Sequence, residues 1–142
     1  MRLFWDTNIM LDLLDERTPF YEPAAKIATL AEERKLSITV SALSYATVNY
    51  ILAKYEKVEI VKDKLRKFKI ISSICALDEE IIDKGLNSDF KDFEDALQYF
   101  CALKSNCNVL ITRNGMDFKT SQIPIMTAEE YLVWARKSNI LN

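Results

Sequence analysis

The chain of 142 residues contains no histidine, only two glycines and only three cysteines. Without histidine, Ser-His-Asp and Cys-His catalysis and His-bearing zinc sites are excluded. Gly85 and Gly115 stand far apart, so neither a P-loop nor a dinucleotide-binding fingerprint can be built. Any catalysis must therefore use carboxylates, hydroxyls, amides, amines or a metal ion bound by oxygen.

The cysteines are odd in number and lack the spacing of a metal site, so Cys75, Cys101 and Cys107 indicate small buried residues in a reducing compartment. No apolar run approaches the roughly 18 residues that span a bilayer. Asp6 also comes too early in the chain for a secretory signal. We therefore expect a cytoplasmic protein with no membrane association.

Length and composition are typical of one globular domain, with 49% hydrophobic and 28% charged residues. The net charge of −2 does not by itself indicate a nucleic-acid partner. The chain contains no repeat, low-complexity tract or linker. We predict a single domain over residues 1–142.

Short apolar runs alternate with segments of helical periodicity. Strands are predicted at residues 3–5, 36–40, 70–71, 108–111 and 123–126, and helices at residues 9–14, 23–34, 41–52, 59–69, 78–86, 93–104 and 127–136. Strands separated by helices form right-handed crossovers between parallel strands. The pattern predicts an α/β fold, a three-layer α/β/α sandwich with a central, mostly parallel sheet whose last strand, next to Pro124, is an edge.

Polar clusters follow two of the buried strands. Asp6 comes directly after the first strand, and Asn114 closes the Thr-Arg-Asn cluster after the fourth. Open α/β sheets bind ligands outside the carboxyl ends of their strands, so both side chains are candidates for one pocket. Asp92 and Asp95 lie three residues apart and would share a helix face, and Asp117 is placed to point back from its loop.

Carboxylates that converge without a basic partner repel one another and resist ionisation. A divalent cation such as Mg²⁺ or Mn²⁺ removes that cost, prefers hard oxygen ligands and keeps several waters. Such a site activates water and neutralises charge on a scissile phosphate. The acids therefore predict a metal site, provided that they converge in the fold.

All of these polar residues except Asp95 also have a simpler interpretation. Asp6 and Asp92 are favoured helix caps, and Asn114 and Asp117 are turn formers beside Gly115. Asp95 differs because it abuts an apolar helix stripe, where an unpaired carboxylate is costly. The lysine- and arginine-rich segment 62–69 invites a nucleic-acid-binding interpretation. It is better explained as the solvated face of a helix whose apolar stripe packs in the core. Both tryptophans are expected in the core rather than on a base-stacking surface.

The order of these motifs resembles the PIN-domain nucleases, the family of VapC-type toxins. Residues 3–8 (LFWDTN) resemble the family's opening motif, residues 92–98 (DFEDALQ) its second acidic motif, and residues 109–114 (VLITRN) with Asp117 its closing motif. Residues 125–132 look like its final strand and helix. The resemblance spans nearly the whole chain and rests on the order and spacing of the motifs.

The resemblance implies a Mg²⁺- or Mn²⁺-dependent endoribonuclease that hydrolyses single-stranded RNA, often as a homodimer with an antitoxin partner. It places Asp6 and Asp95 as the principal metal ligands, with Asp6, Asp95 and Asp117 in catalysis. Asn114, Asp117 and Asp92 complete the implied metal-site residues. Supporting roles fall to Thr7, Asn8, Thr47 and Thr112.

One position departs from the family pattern. Relatives usually carry a glutamate on the helix after the second strand, but residues 41–50 contain no acid, and Thr47 holds that place. With Asn114 also neutral, one loosely held ion is more plausible than two. An alternative function is therefore a catalytically weak or inactive PIN-like module that binds RNA or protein. A third hypothesis, an aspartyl-phosphate enzyme, conflicts with Asn8, because such enzymes usually carry a second aspartate there.

Overall fold

Each strand of the chain is short, and the central ones are almost wholly apolar; Leu3, Phe4 and Trp5 are all completely buried. The computed structural model describes residues 1–140. Its strands are β1 (Arg2–Trp5), β2 (Ser37–Ser41), β3 (Ser72–Cys75), β4 (Val109–Ile111) and β5 (Ile125–Met126). Its helices are α1 (Thr7–Leu14), α2 (Tyr21–Glu32), α3 (Ala42–Leu52), α4 (Val58–Ile70), α5 (Glu79–Leu86), α6 (Phe93–Lys104) and α7 (Ala128–Lys137).

The five strands form one sheet in the order β3-β2-β1-β4-β5, and every pairing within residues 1–140 is parallel. Leu3 in β1 lies beside Ile38 of β2 on one side and Val109 of β4 on the other. Strands β2, β1 and β4 therefore occupy the centre of the sheet. Their carboxyl ends lie next to one another at the same edge.

Alternation along β1 sends its side chains into two cores. Leu3 and Trp5 join a cluster with residues of α1–α4 and α7, whereas Phe4 joins a second cluster with residues of α5 and α6. Helices therefore cover both faces of the sheet. The three-layer α/β/α architecture expected from the sequence is confirmed.

The predicted strand at residues 70–71 is wrong. Ile70 is the last residue of α4 and is 83% exposed, and the Ile71 backbone N–H donates to the carbonyl of Phe68 at 3.1 Å. The third strand lies instead at Ser72–Cys75. Two serines weaken the apolar pattern of this strand. The two isoleucines at residues 70–71 are more apolar, so the pattern predicts a strand there although these residues end α4. A 3₁₀-helix at Gly115–Phe118 was not predicted.

Several local predictions agree with the structure. Thr127 and Glu130 form the capping box of α7, and Trp5 is fully buried while Trp134 packs half-buried against the first core cluster. The three cysteines are buried and free. In residues 1–140 no helix is both long and apolar enough to cross a membrane.

Candidate active site

The polar segments that follow β1, β2 and β4 surround one cavity of about 300 Å³, which we call the acidic pocket. Asp6 directly follows β1, and its backbone N–H donates to the Ile111 carbonyl at 2.9 Å, so the residue is held at the end of the ladder. The pocket is lined by Asp6, Thr7, Asn8, Leu11, Leu43, Thr47, Ile51, Asp92, Glu94, Asp95, Gln98, Asn114 and Asp117. Every site residue expected from the sequence is in this set except Thr112, which lies against Asp6.

Asp6 is buried at 6% exposure, and each of its carboxylate oxygens accepts hydrogen bonds. Oδ1 accepts from the Thr7 backbone at 2.8 Å and from Gln98 Nε2 at 3.3 Å. Oδ2 accepts from Thr112 Oγ1 at 2.8 Å and from Asn8 Nδ2 at 3.5 Å. Burial raises the pKa of Asp6, and the hydrogen bonds from Thr112, Thr7 and Gln98 oppose that effect. The residue caps α1, as the simpler interpretation held, and it also faces the acidic pocket.

Gln98 was missed by the sequence analysis and lies at the centre of the site. It is 2% exposed, and its Nε2 lies 2.9 Å from both Thr7 Oγ1 and Ser44 Oγ in addition to its contact with Asp6. Ser44 Oγ lies 2.7 Å from Thr7 Oγ1. This network joins the ends of β1 and β2 to α6. A signal was present in the sequence: Gln98 stands three residues after Asp95, on the same helix face and amid apolar neighbours.

Asp95 is half-buried on the first turn of α6. Burial raises its pKa to about 7, and the negative charges of Asp92, Asp6, Asp117 and Glu94 act in the same direction. Among the described residues that line the acidic pocket there is no lysine or arginine. The carboxylates are therefore close enough to repel one another electrostatically, and no basic side chain in the pocket offsets their charge.

The more exposed pocket residues also cap a helix or stabilise a turn. Asp92 caps α6 by accepting a hydrogen bond from the Asp95 backbone at 3.1 Å. The Asn114 backbone donates to Thr112 Oγ1 at 3.0 Å, and its carbonyl accepts from the Asp117 backbone at 3.0 Å. The capping and turn roles are thus correct. These roles do not remove the side chains from the pocket, because all three line it.

Thr47 lies half-buried on α3 and lines the acidic pocket, at the place where the resemblance implied a missing acid. Its hydroxyl contributes a polar group and no charge. Ser44, one helical turn earlier, belongs to the Gln98 network instead. Helix α3 therefore presents one hydroxyl, that of Thr47, and no carboxylate to the acidic pocket.

The donor set can be tested against a hard divalent cation. Within residues 1–140 no three histidine, cysteine, aspartate or glutamate side chains are grouped tightly enough to form a ready-made metal site. The pocket nevertheless offers carboxylates together with two buried amide oxygens, Asn8 Oδ1 and Gln98 Oε1, that have no hydrogen-bond partner. Oxygen donors of this kind fit Mg²⁺ or Mn²⁺. They fit a loosely held ion whose shell is completed by water.

The family model for the PIN domain matches residues 2–115. Ribonuclease VapC1 of Aquifex aeolicus (strain VF5) is 27% identical over 135 residues, which cover 92% of each chain. The sequence similarity therefore extends over nearly the full length.

Two solved structures share the fold. A chain of VapBC2 from Rickettsia felis, bound to a DNA fragment from their promoter, superposes with a TM-score of 0.66 at 21% identity, covering 89% of this chain and 97% of that one. The sarcin-ricin loop cleaving toxin VapC20 of Mycobacterium tuberculosis superposes with a TM-score of 0.59 at 10% identity, covering 76% and 86%. At these identities the likeness concerns the fold.

Proposed function

Because the chain belongs to the PIN-domain family, we propose that it is a metal-dependent endoribonuclease that hydrolyses phosphodiester bonds of single-stranded RNA. The observation that carries this proposal is the convergence of Asp6, Asp95 and Asp117 at the carboxyl ends of the central strands. The name of the VapC1 relative, a ribonuclease, supports the same class of reaction. Family membership also leaves the aspartyl-phosphate hypothesis without support.

Asp6 and Asp95 would hold the ion, with Asn114, Asp117 and Asp92 contributing through water. When bound, Mg²⁺ or Mn²⁺ supplies positive charge for the scissile phosphate and lowers the pKa of a coordinated water. The four donors around Asp6 fix the orientation of its carboxylate, so little reorganisation is needed during the reaction.

A carboxylate of the acidic pocket accepts the proton of the attacking water in this scheme. Burial raises the pKa of Asp95 to about 7 without the ion, and a bound cation would lower that pKa because positive charge favours the carboxylate form. The water oxygen forms the new bond to phosphorus, the bond from phosphorus to the leaving oxygen breaks, and that oxygen takes up a proton. Thr7 and Thr112 do not contact substrate in this scheme. They hold Asp6 and its network in place.

A toxin role with a small antitoxin protein and a homodimeric state extends this proposal. Its support is the fold shared with VapBC2 and with the toxin VapC20. Light scattering of the purified chain tests the dimer. Co-purification with the product of a neighbouring reading frame, followed by inhibition of cleavage, tests the antitoxin.

A second candidate is a PIN-like module that binds RNA or protein without cleaving it. Thr47 and Asn114 favour it, since both are neutral where relatives usually carry acids, and no tight three-carboxylate group exists within residues 1–140. The two candidates differ in one measurement, the cleavage of RNA by the metal-loaded protein.

The deciding experiment incubates the purified protein with single-stranded RNA and Mn²⁺, Mg²⁺ or EDTA. We expect cleavage with either ion, faster with Mn²⁺, and none in EDTA or with Asp95→Asn. Asp83→Asn, which replaces an acid outside the pocket, serves as the matched control. Equal cleavage by Asp95→Asn and wild type would reject the site, and RNA binding without cleavage would establish the module.

A further inference from the structure

A second cavity of about 330 Å³ lies beside the acidic pocket, and the catalytic scheme does not use it. We call it the Phe20 pocket; it is lined by Ile9, Asp12, Pro19, Phe20, Pro23, Arg113, Asn114, Thr127, Ala128 and Glu129. Asn114 lines both cavities, and α1 separates them. The two cavities therefore adjoin each other at Asn114.

A partly buried ion pair lines the Phe20 pocket. Asp12 is 1% exposed and accepts two hydrogen bonds from Arg113, from Nε at 2.9 Å and from Nη2 at 3.1 Å. Burial raises the pKa of Asp12, and the hydrogen bond and charge of Arg113 oppose that effect. Burying a carboxylate is costly unless it is paired. The pairing holds the plane of the guanidinium in one orientation.

That orientation places the guanidinium against an exposed aromatic ring. Arg113 Cζ lies 4.2 Å from the centroid of the Phe20 ring. Phe20 is 42% exposed and the Arg113 side chain 29% exposed, so the stacked pair remains accessible from the cavity. Pro19 and Pro23 flank the ring and limit the backbone freedom on either side of it.

The charges of the Phe20 pocket select among ligands. Asp12 neutralises Arg113, and Glu129 adds a negative charge, so the cavity does not favour a phosphate. Flat aromatic ligands stack on rings and on guanidinium planes, as nucleobases of single-stranded RNA do. The hydrogen bonds to Asp12 use Nε and Nη2, and they leave Nη1 to donate to an acceptor on the edge of a base.

We propose that the Phe20 pocket is a nucleobase-binding subsite, in which Phe20 and Arg113 receive a base of the RNA strand whose phosphate enters the acidic pocket. The proposal rests on the proposed function in one respect, that the ligand is RNA. Recognition of the base by stacking makes the subsite tolerant of sequence, with any preference set by the contact to Arg113 Nη1.

The test measures binding in EDTA, where cleavage does not proceed, so that it is independent of catalysis. Two fluorescein-labelled strands of equal length and charge are compared, a single-stranded RNA and an abasic ribose-phosphate strand. We expect the RNA to bind more tightly. Phe20→Leu should reduce the ratio of the two affinities by about 5- to 140-fold, the range of one lost base stack, and Phe20→Trp should preserve it.

Tyr55→Leu is the matched control, because Tyr55 is 71% exposed and lines neither cavity; it should leave the ratio unchanged. If melting shows that Phe20→Leu is misfolded, Phe20→Met repeats the measurement. An unchanged ratio in the folded variant, an equal loss for both strands, or no binding of RNA would each overturn the subsite. If Mn²⁺-dependent cleavage fails while the ratio of the two affinities changes as expected, the nuclease function is rejected and the nucleobase subsite is supported.

Discussion

At the scale of single residues, two carboxylates in one cavity differ in what surrounds them. Asp6 accepts hydrogen bonds on both oxygens and is held in one orientation. Burial and the neighbouring acids raise the pKa of Asp95 to about 7. Without a bound ion, the Asp6 carboxylate is therefore fixed in orientation, whereas the Asp95 carboxyl changes its protonation state near neutral pH.

Asp95 makes the metal-free protein less stable as pH rises. Its folded pKa of about 7 exceeds the unfolded value of 3.8, so the folded state binds more protons between these values. The stabilisation is present below about pH 4 and is lost as pH increases through about 7. In EDTA at pH 8, Asp95→Asn should be more stable than wild type by about 1 kcal/mol after discounting for solvent screening, or about 3 °C in Tm.

Thermal melts at pH 4 and pH 8 check this, and the difference should be absent at pH 4. Asp83→Asn, outside the pocket, should show no such pH dependence. An advantage of Asp95→Asn that is equal at both pH values would mean that the effect is unrelated to ionisation.

Gln98 is predicted to position Asp6. Gln98→Leu preserves the volume and removes the amide that contacts Asp6, Thr7 and Ser44. The partners would stay buried, so we expect a loss of about 1–3 kcal/mol in the free energy of unfolding. We also expect weaker Mn²⁺ binding by calorimetry and a kcat at least about tenfold lower with KM for RNA unchanged, as for an oriented transition-state group.

The matched variant is Leu97→Met, a volume-conserving change at the neighbouring buried position. It should keep both Mn²⁺ affinity and kcat. Loss of stability in Gln98→Leu with unchanged Mn²⁺ affinity and kcat would show a purely structural role.

At the scale of elements, two helices bring polar groups to the site with the same spacing. Helix α6 presents Asp95 and Gln98 to the acidic pocket, whereas α3 presents Thr47 to the pocket and Ser44 to Gln98. Residues three apart share a helix face, so each helix contributes a pair. Asp92 and Ser41 cap the two helices and fix where each first turn begins. The difference between them is that α3 carries no charge into the pocket.

Thr47→Glu tests that difference. A further carboxylate beside a divalent ion raises affinity, whereas without the ion it adds to the repulsion among the acids. We expect at least tenfold tighter Mn²⁺ binding, which near saturation adds about 1.4 kcal/mol of stabilisation, together with lower stability in EDTA. Titration calorimetry and melts with and without Mn²⁺ measure both effects.

Asn49→Glu adds the same charge to an exposed position on the same helix outside the pocket, and it should change neither quantity appreciably. An unchanged Mn²⁺ affinity in Thr47→Glu would place position 47 outside the reach of the ion.

At the scale of the whole molecule, the site depends on a parallel sheet buried on both faces. Leu110 of β4 is completely buried in the second core cluster, between Val109 and Ile111 that face the first. The segment that follows β4 carries Asn114 to the acidic pocket and Thr112 to the carboxylate of Asp6. Packing of the central strands therefore sets where the pocket side chains lie.

Leu110→Ala should lower the free energy of unfolding by about 2–5 kcal/mol, because it deletes buried methyl groups and leaves a cavity. Ile74→Ala makes a similar deletion on edge strand β3, where the side chain is 42% exposed, and should cost much less. Urea denaturation of both variants measures the difference. Equal costs would mean that Leu110 is not in the packed interior.

The sequence by itself determined most of the elements, the order of the acids and the family. Leu3 to Trp5 are apolar without interruption, as a strand buried on both faces must be, and the helices repeat their apolar residues every 3.6 positions. Asp6 and Asn114 were predicted to share a pocket because the carboxyl ends of parallel strands meet at one edge. These properties depend on local pattern and on general rules of topology, so one sequence was enough.

Only the tertiary structure decided which side chains touch. Gln98 contacts Asp6 across 92 positions, and Arg113 pairs with Asp12 across 101. The strand β3 was misplaced for a related reason, since Ser72–Cys75 pairs with β2 through its backbone and has little apolar pattern of its own. Contacts between distant segments depend on packing and register. The local sequence indicated that Gln98 shares a helix face with Asp95, but it did not indicate which partners Gln98 contacts. The Gln98 network and the Phe20 pocket therefore became visible only in the folded chain.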